Sequence, residues 1–172
     1  MDMIEKGQLV VYGSNGVCRV QDVRCESFGL DKKEYYVLNP VHNPLSTIFV
    51  PLSNPTLVEK MKPLLTKEQI LAMTEPSLSR EDLWIEAPTL RKDRFKAVLE
   101  SGDRQALLNL ICTLFRKREQ RERQGKKLWN FDNHALDTAQ RLLQVEFGLV
   151  LGMTQEEAAQ FLLERLGFVL PA

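Results

Sequence analysis

Trp84 and the cations that follow it are the residues of this sequence whose types and spacing suggest chemistry. The indole stands in Ser79-Arg80-Glu81-Asp82-Leu83-Trp84-Ile85-Glu86-Ala87-Pro88, just ahead of Arg91-Lys92-Asp93-Arg94-Phe95-Lys96. An aromatic ring beside a basic helical turn can stack on bases or wedge between them while the cations hold phosphates. It can equally cover the apolar seam of a helical bundle, and the spacing does not choose between the two. A second basic run, residues 116–127, carries 7 basic against 2 acidic side chains. Arg116 and Lys117 open that run, either as phosphate contacts or as a solvated helix end, where cations favour the last turn. Trp129 comes just after Lys126-Lys127-Leu128 and could staple the next helix, which favours a core or semi-core position over a functional one.

Groups that could converge on a catalytic centre are few. His42 and His134 fall in different halves, and neither has a His or Cys at ligand spacing, so no metal site is expected. Neither a phosphate-binding glycine loop nor a G-x-S-x-G elbow occurs, and no Cys has a nearby His to activate it. Asp82, Glu86, Asp93 and Glu100 are spaced among bases, with nothing to single out an acid–base pair. The expectation is a non-enzyme without cofactors. Cys18, Cys25 and Cys112 form no disulfide or zinc pattern, which fits a reducing cytoplasm. Residues 1–7 have no apolar signal region, and the longest apolar stretch, 147–153, is far short of a membrane span.

The 172 residues carry 23 Lys+Arg and 23 Asp+Glu, a formal charge of zero that excludes a uniformly basic DNA-coating protein. The zero is a sum of unlike parts. Residues 80–127 hold 13 bases and 8 acids, net +5, and residues 128–172 hold 2 and 6, net −4. Bases can therefore be presented on one side only.

Two periods divide the chain and must position these groups. Gln8-Leu9-Val10-Val11-Tyr12, the alternating Val17–Arg24, Glu34-Tyr35-Tyr36-Val37-Leu38 and Thr47-Ile48-Phe49-Val50 read as strands. Gly13-Ser14-Asn15-Gly16 and Phe28-Gly29-Leu30-Asp31 read as turns, and Pro51 as a stop. Several short strands in about 60 residues suggest a small, bent antiparallel barrel. From Thr66 the period is helical. Capping boxes start at Thr66 and Thr154, Gly102 stops a helix, and Asp103 and Asp132 are candidate caps. Apolar stripes run through Leu107, Leu110, Ile111 and Leu114, through Leu136, Ala139, Leu143 and Phe147, and through Ala158, Phe161 and Leu162. Four or five helices then make a bundle. The fold class is α+β, with domains at residues 1–65 and 66–172.

Lys6-Gly7-Gln8-Leu9-Val10-Val11-Tyr12, Gly16-Val17, Lys33-Glu34-Tyr35-Tyr36-Val37-Leu38 and Ile48-Phe49-Val50-Pro51 occur in that order. Leu83-Trp84, Leu99-Glu100-Ser101-Gly102-Asp103-Arg104 and Gly125-Lys126-Lys127-Leu128 follow. Over about residues 4–168 this series resembles the CarD-type bacterial transcription regulators, whose first module also occurs in the transcription-repair coupling factor. The resemblance implies an SH3- or Tudor-like barrel that docks on the RNA polymerase β subunit. It implies, next, a helical domain whose tryptophan wedges into the minor groove of promoter DNA at the upstream edge of the transcription bubble. Such a wedge blocks re-closure and biases the open promoter complex. Carried over, Trp84 is the wedge and Arg91, Lys92, Arg94 and Lys96 are phosphate contacts. Glu26, Phe28, Ile48 and Phe49 are the candidate polymerase contacts, with the alternative that strand alternation puts one of Ile48 and Phe49 in the barrel core. Glu26 and Phe49 stand where mycobacterial members use arginine, so that contact is more apolar, compensated by the partner, or weaker. Trp84 also lies farther from the Ser101-Gly102-Asp103 break than in those members. Two rivals carry other expectations: a protein–protein adaptor that leaves DNA alone, and a nucleic-acid module with no polymerase contact.

Overall fold

A computed structural model of the chain describes residues 4–29 and 31–168, with the side chains of Phe28 and Asp31 outside the described set. The chain divides into two compact units, Met1–Leu64 and Leu65–Ala172. The first holds strands β1 (Leu9–Tyr12), β2 (Val17–Phe28), β3 (Asp31–Pro40), β4 (Ile48–Pro51) and β5 (Met61–Lys62), with a short helix α1 (Pro55–Glu59) before β5. All neighbours pair antiparallel in the order β4-β3-β2-β1-β5.

The sheet is open. Among the described residues β4 pairs only with β3 and β5 only with β1, so the expected barrel does not close. The reason is local. The chain after Pro51 turns into α1, whose Leu57 amide donates to the Asn54 side chain, and two residues pair as β5. Most of the pairing lies instead in one long hairpin, β2 with β3, which runs past both strand ends expected from the sequence. Leu30, within the turn expected over Phe28-Gly29-Leu30-Asp31, lies outside the described residues. Val10, Cys18, Val20, Leu38, Val50 and Met61 form the core of this unit, and Tyr36 and Ile48 pack against it.

A register shift between Val20 and Asp22 leaves Gln21 as the extra residue of a bulge. Beyond it the strand's faces exchange. Val20 opposes Leu38 on the core side, but Asp22 opposes Val37, Arg24 opposes Tyr35 and Glu26 opposes Lys33. Arg24 and Glu26 therefore share the outer face with Tyr35.

Among the described residues the second unit has five helices: α2 (Lys67–Met73), α3 (Pro88–Ser101), α4 (Arg104–Arg123), α5 (Asn130–Leu151) and α6 (Gln155–Arg165). Both capping boxes form, Thr66 with Gln69 and Thr154 with Glu157. Hydrogen bonds from the Thr154 backbone and side chain hold the Glu157 carboxyl below its ordinary pKa. Gly102 adopts a left-handed conformation (φ 70°) that ends α3, a geometry glycine takes without a Cβ clash, and Asp103 caps α4 through the Ala106 amide at 3.1 Å. The three apolar stripes meet in one core in which Leu107, Leu110, Ile111, Leu114, Leu136, Leu143, Phe147 and Leu162 are buried. Asp132, expected as a cap, lies instead inside the first turn of α5, because Trp129 takes the cap position.

Cys18 and Cys112 are buried, whereas Cys25 is exposed on β2. Burial pushes the Cys18 thiol up to about 12 and raises that of Cys112 as well. Thiolate is the reacting form, so iodoacetamide at pH 8 should label Cys25 alone in the folded protein. Mass spectrometry of the time course checks this, with all three labelled after denaturation.

Candidate nucleic-acid interface

Trp84 lies in the segment between α2 and α3, and three hydrogen bonds fix it there. The Leu83 amide donates to the buried Thr113 hydroxyl of α4 at 3.0 Å, pinning the segment to the bundle. The Trp84 amide donates to Asp82 Oδ1 at 2.9 Å, a turn closed by a short acidic side chain. The indole Nε1 donates to Glu86 Oε1 at 3.1 Å. The ring is half-buried. It packs on the core through Phe95, with ring centroids 6.4 Å apart.

Arg91 sits under this ring with its guanidinium carbon 4.2 Å from the indole centroid. Its side chain reaches inward because its donors are matched there. Nε and one terminal nitrogen pair with Asp132 Oδ1 and Oδ2 at 3.0 and 3.1 Å, while the other terminal nitrogen donates to the Ile85 and Glu86 carbonyls. Arg91 is 4 % exposed and Asp132 is fully buried. A bidentate pair of this kind is rigid as well as strong. The placement gives Arg91 a positioning part beneath the indole in place of the phosphate contact expected of it, since all three guanidinium nitrogens are engaged within the protein.

Of the remaining cations, Lys117 and Arg116 stand beside that seat. Lys117 Nζ lies 4.7 Å from the Trp84 centroid and 3.9 Å from Glu86 Oε1. Arg116 is exposed beside it, and both line an open cleft of about 450 Å³ with Asp82, Trp84, Glu86, Thr113, Gln120 and Arg123. Lys92 is exposed, with Nζ 5.6 Å from the Phe131 ring at the start of α5. Arg94 is half-buried and pairs with Glu81 at 3.5 Å. Lys96 is exposed one turn along α3 from Lys92. The structure thus brings Trp84, Arg91, Arg116 and Lys117 to one place, and leaves Arg94 and Lys96 on the open sides of α3.

Trp129 and Arg121 also belong to this cluster, although their spacing in the chain does not single them out. The Trp129 ring lies 6.0 Å from Trp84 and 5.1 Å from the Arg91 guanidinium carbon. Arg121 lies over it at 3.7 Å. Of the two placements expected for it, core and semi-core, the first is excluded, since Trp129 is 46 % exposed. The one signal in the sequence is the basic run on one side of it and the α5 start on the other. What the spacing hides is that α4 ends, and α5 begins, beside the segment that carries Trp84.

In the first unit, the four candidate contacts separate. Ile48 packs against the inner core and is not presented to a partner. Phe49 is on the opposite face, 36 % exposed, with its ring edge-on to Tyr35 at 6.0 Å. Glu26 shares that face and pairs with Arg24 at 3.5 Å. Phe28 ends β2, and its side chain lies outside the described residues. The outer face of the hairpin thus combines an aromatic pair with a charged pair, the mixture found at specific protein interfaces.

Among the described residues no cluster of His, Cys, Asp and Glu could hold a metal, and no helix is long and apolar enough to cross a membrane. No curated protein matches the chain. The family model for the CarD-like/TRCF RID domain matches residues 4–62, the span that contains all five strands. That match covers about a third of the chain, and by it the unit that carries the Phe49 face is similar to the CarD-like/TRCF RID domain.

Proposed function

We propose that this protein is a non-enzymatic bacterial transcription regulator of the cytoplasm. It docks on the RNA polymerase β subunit through the outer face of the β2–β3 hairpin and β4. Its helical unit stabilises the promoter open complex by an aromatic wedge centred on Trp84, with Lys92, Lys96, Arg116 and Lys117 on phosphates. The observation that carries the DNA half of this reading is the indole with a buried guanidinium 4.2 Å and a lysine ammonium 4.7 Å from its centroid, at the mouth of a basic cleft. Asp82 and Glu86 at the same mouth weaken attraction to free DNA. Delivery by polymerase supplies the local concentration that the helical unit's own affinity lacks.

The test is the lifetime of an open complex on a promoter template with and without the protein, at a series of salt concentrations. The protein should lengthen it, and its apparent affinity should fall as salt rises, because cations that neutralise phosphates release counterions. Replacing Arg116 or Lys92 by alanine should each reduce the logarithmic salt slope by about 1 without changing which promoters respond. An unchanged lifetime at low salt would sink the proposal. Failure to retain isolated β-subunit lobe in a pull-down would remove its polymerase half and favour a nucleic-acid module acting alone.

A further inference from the structure

We propose that Trp129 is the leading edge of the DNA contact, with Trp84 behind it as its support. This inference rests on the open-complex reading above and assigns a second aromatic residue to the same site.

The two indoles differ in how much of them is free. Trp84 is half-buried, spends its Nε1 hydrogen on Glu86 and packs on Phe95. Trp129 keeps 46 % of its surface open, unusual for the largest side chain in a protein whose core has room for rings. Its position is nevertheless fixed. Arg121 covers it at 3.7 Å, and the Arg121 Nε donates to the Lys127 carbonyl at 2.6 Å, so α4 holds the turn that leads into α5. Arg91 lies 5.1 Å from the same ring and 4.2 Å from Trp84, and is itself locked by Asp132. Lys117, Trp84, Arg91, Trp129 and Arg121 thus form one cluster in which each indole has two cations against it. A ring held in this way has little rotamer freedom left to lose when it meets a partner, which lowers the cost of binding.

The occupant is a nucleic acid because of what surrounds the open ring. Lys126 and Lys127 directly precede Leu128-Trp129 and are exposed, as are Arg123 and Arg116 nearby in α4. An exposed aromatic ring surrounded by cations matches bases flanked by phosphates: the ring meets the base edge or face while the cations meet the backbone. An apolar protein partner would leave these cations desolvated without counter-charges, which is costly.

The experiment uses the full chain with RNA polymerase and a promoter carrying 5-iododeoxyuridine at successive positions across the upstream edge of the bubble. Irradiation should give a crosslink that maps to Trp129 by mass spectrometry. In parallel, Trp129→Ala should cut the gain in open-complex lifetime about 5-fold or more, the loss expected when one stacked aromatic is removed, and Trp129→Phe should restore part of it. Polymerase retention should be unchanged in both variants. A wild-type protein that lengthens the lifetime but crosslinks only through Trp84, with Trp129→Ala equal to wild type, overturns this proposal and leaves the open-complex reading intact. A wild-type protein with no effect on lifetime and no crosslink overturns the reading beneath it. Should Trp129→Ala unfold, the wild-type crosslink map decides alone: a Trp129 adduct upholds the proposal and its absence rejects it.

Discussion

Asp132→Ala should destabilise the helical unit by about 3–5 kcal/mol, the loss expected when one partner of a buried ion pair is removed. The substitution leaves the Arg91 guanidinium 4 % exposed with two of its donors unmatched, and moving an unpaired cation out of water is what costs. For a unit of this size the loss corresponds to a fall in Tm on the order of 15 °C. Both tryptophans of the chain lie in this unit, so tryptophan fluorescence during urea unfolding reports it without interference from the sheet. The double variant Arg91→Met, Asp132→Leu should recover much of the loss, since it removes both charges and keeps the volume. A double variant no more stable than Asp132→Ala would mean that the pair is not what holds α3 to α5.

Trp84→Ala should reduce the protein's gain in open-complex lifetime about 10-fold while leaving polymerase retention unchanged. Removing the ring deletes an aromatic contact worth about 1–3 kcal/mol at a base and also the support on which Trp129 leans, and each 1.36 kcal/mol is tenfold in rate. The variant should cost roughly 1–2 kcal/mol in stability, below the value for a fully buried aromatic, because the ring is only half-buried. Trp84→Phe separates the two effects: it keeps the packing on Phe95 and loses the Nε1 bond to Glu86. If Trp84→Ala stays folded and lengthens the open complex as well as wild type does, the reading of the wedge as centred on Trp84 fails.

Elements that depend on contacts near in sequence are legible from the order of residues alone. The Thr66 and Thr154 capping boxes, the Gly102–Asp103 break and the three helical stripes stand where their spacing puts them, because each is decided by residues three or four positions apart. The long hairpin is only half legible. Alternation places Arg24 and Glu26 on the same side as Cys18 and Val20, yet the extra residue Gln21 moves them to the outer face beside Tyr35. A single-residue bulge has no composition of its own, and it reverses every side chain after it. Barrel closure is illegible for a similar reason: strand-like runs do not reveal whether the two edges meet, and here α1 takes the residues that closure would need.

The candidate site divides along the same line. By itself the sequence determined that an indole and a surplus of cations lie in residues 80–127, that the fold is strands followed by helices, and that residues 4–62 carry a recognisable CarD-like domain. Only the tertiary structure decided which cations are free to meet a phosphate. Arg91 and Lys92 are neighbours in the chain and equal in charge, but Asp132, 41 residues away, draws Arg91 inward and leaves Lys92 in solvent. It likewise decided that Trp129 belongs with Trp84, since the two meet only where α4 has turned back into α5. Charge and aromaticity are properties of a residue and can be counted along the chain. Burial and pairing are properties of its neighbours in space, and for these two tryptophans and Arg91 those neighbours come from three different helices.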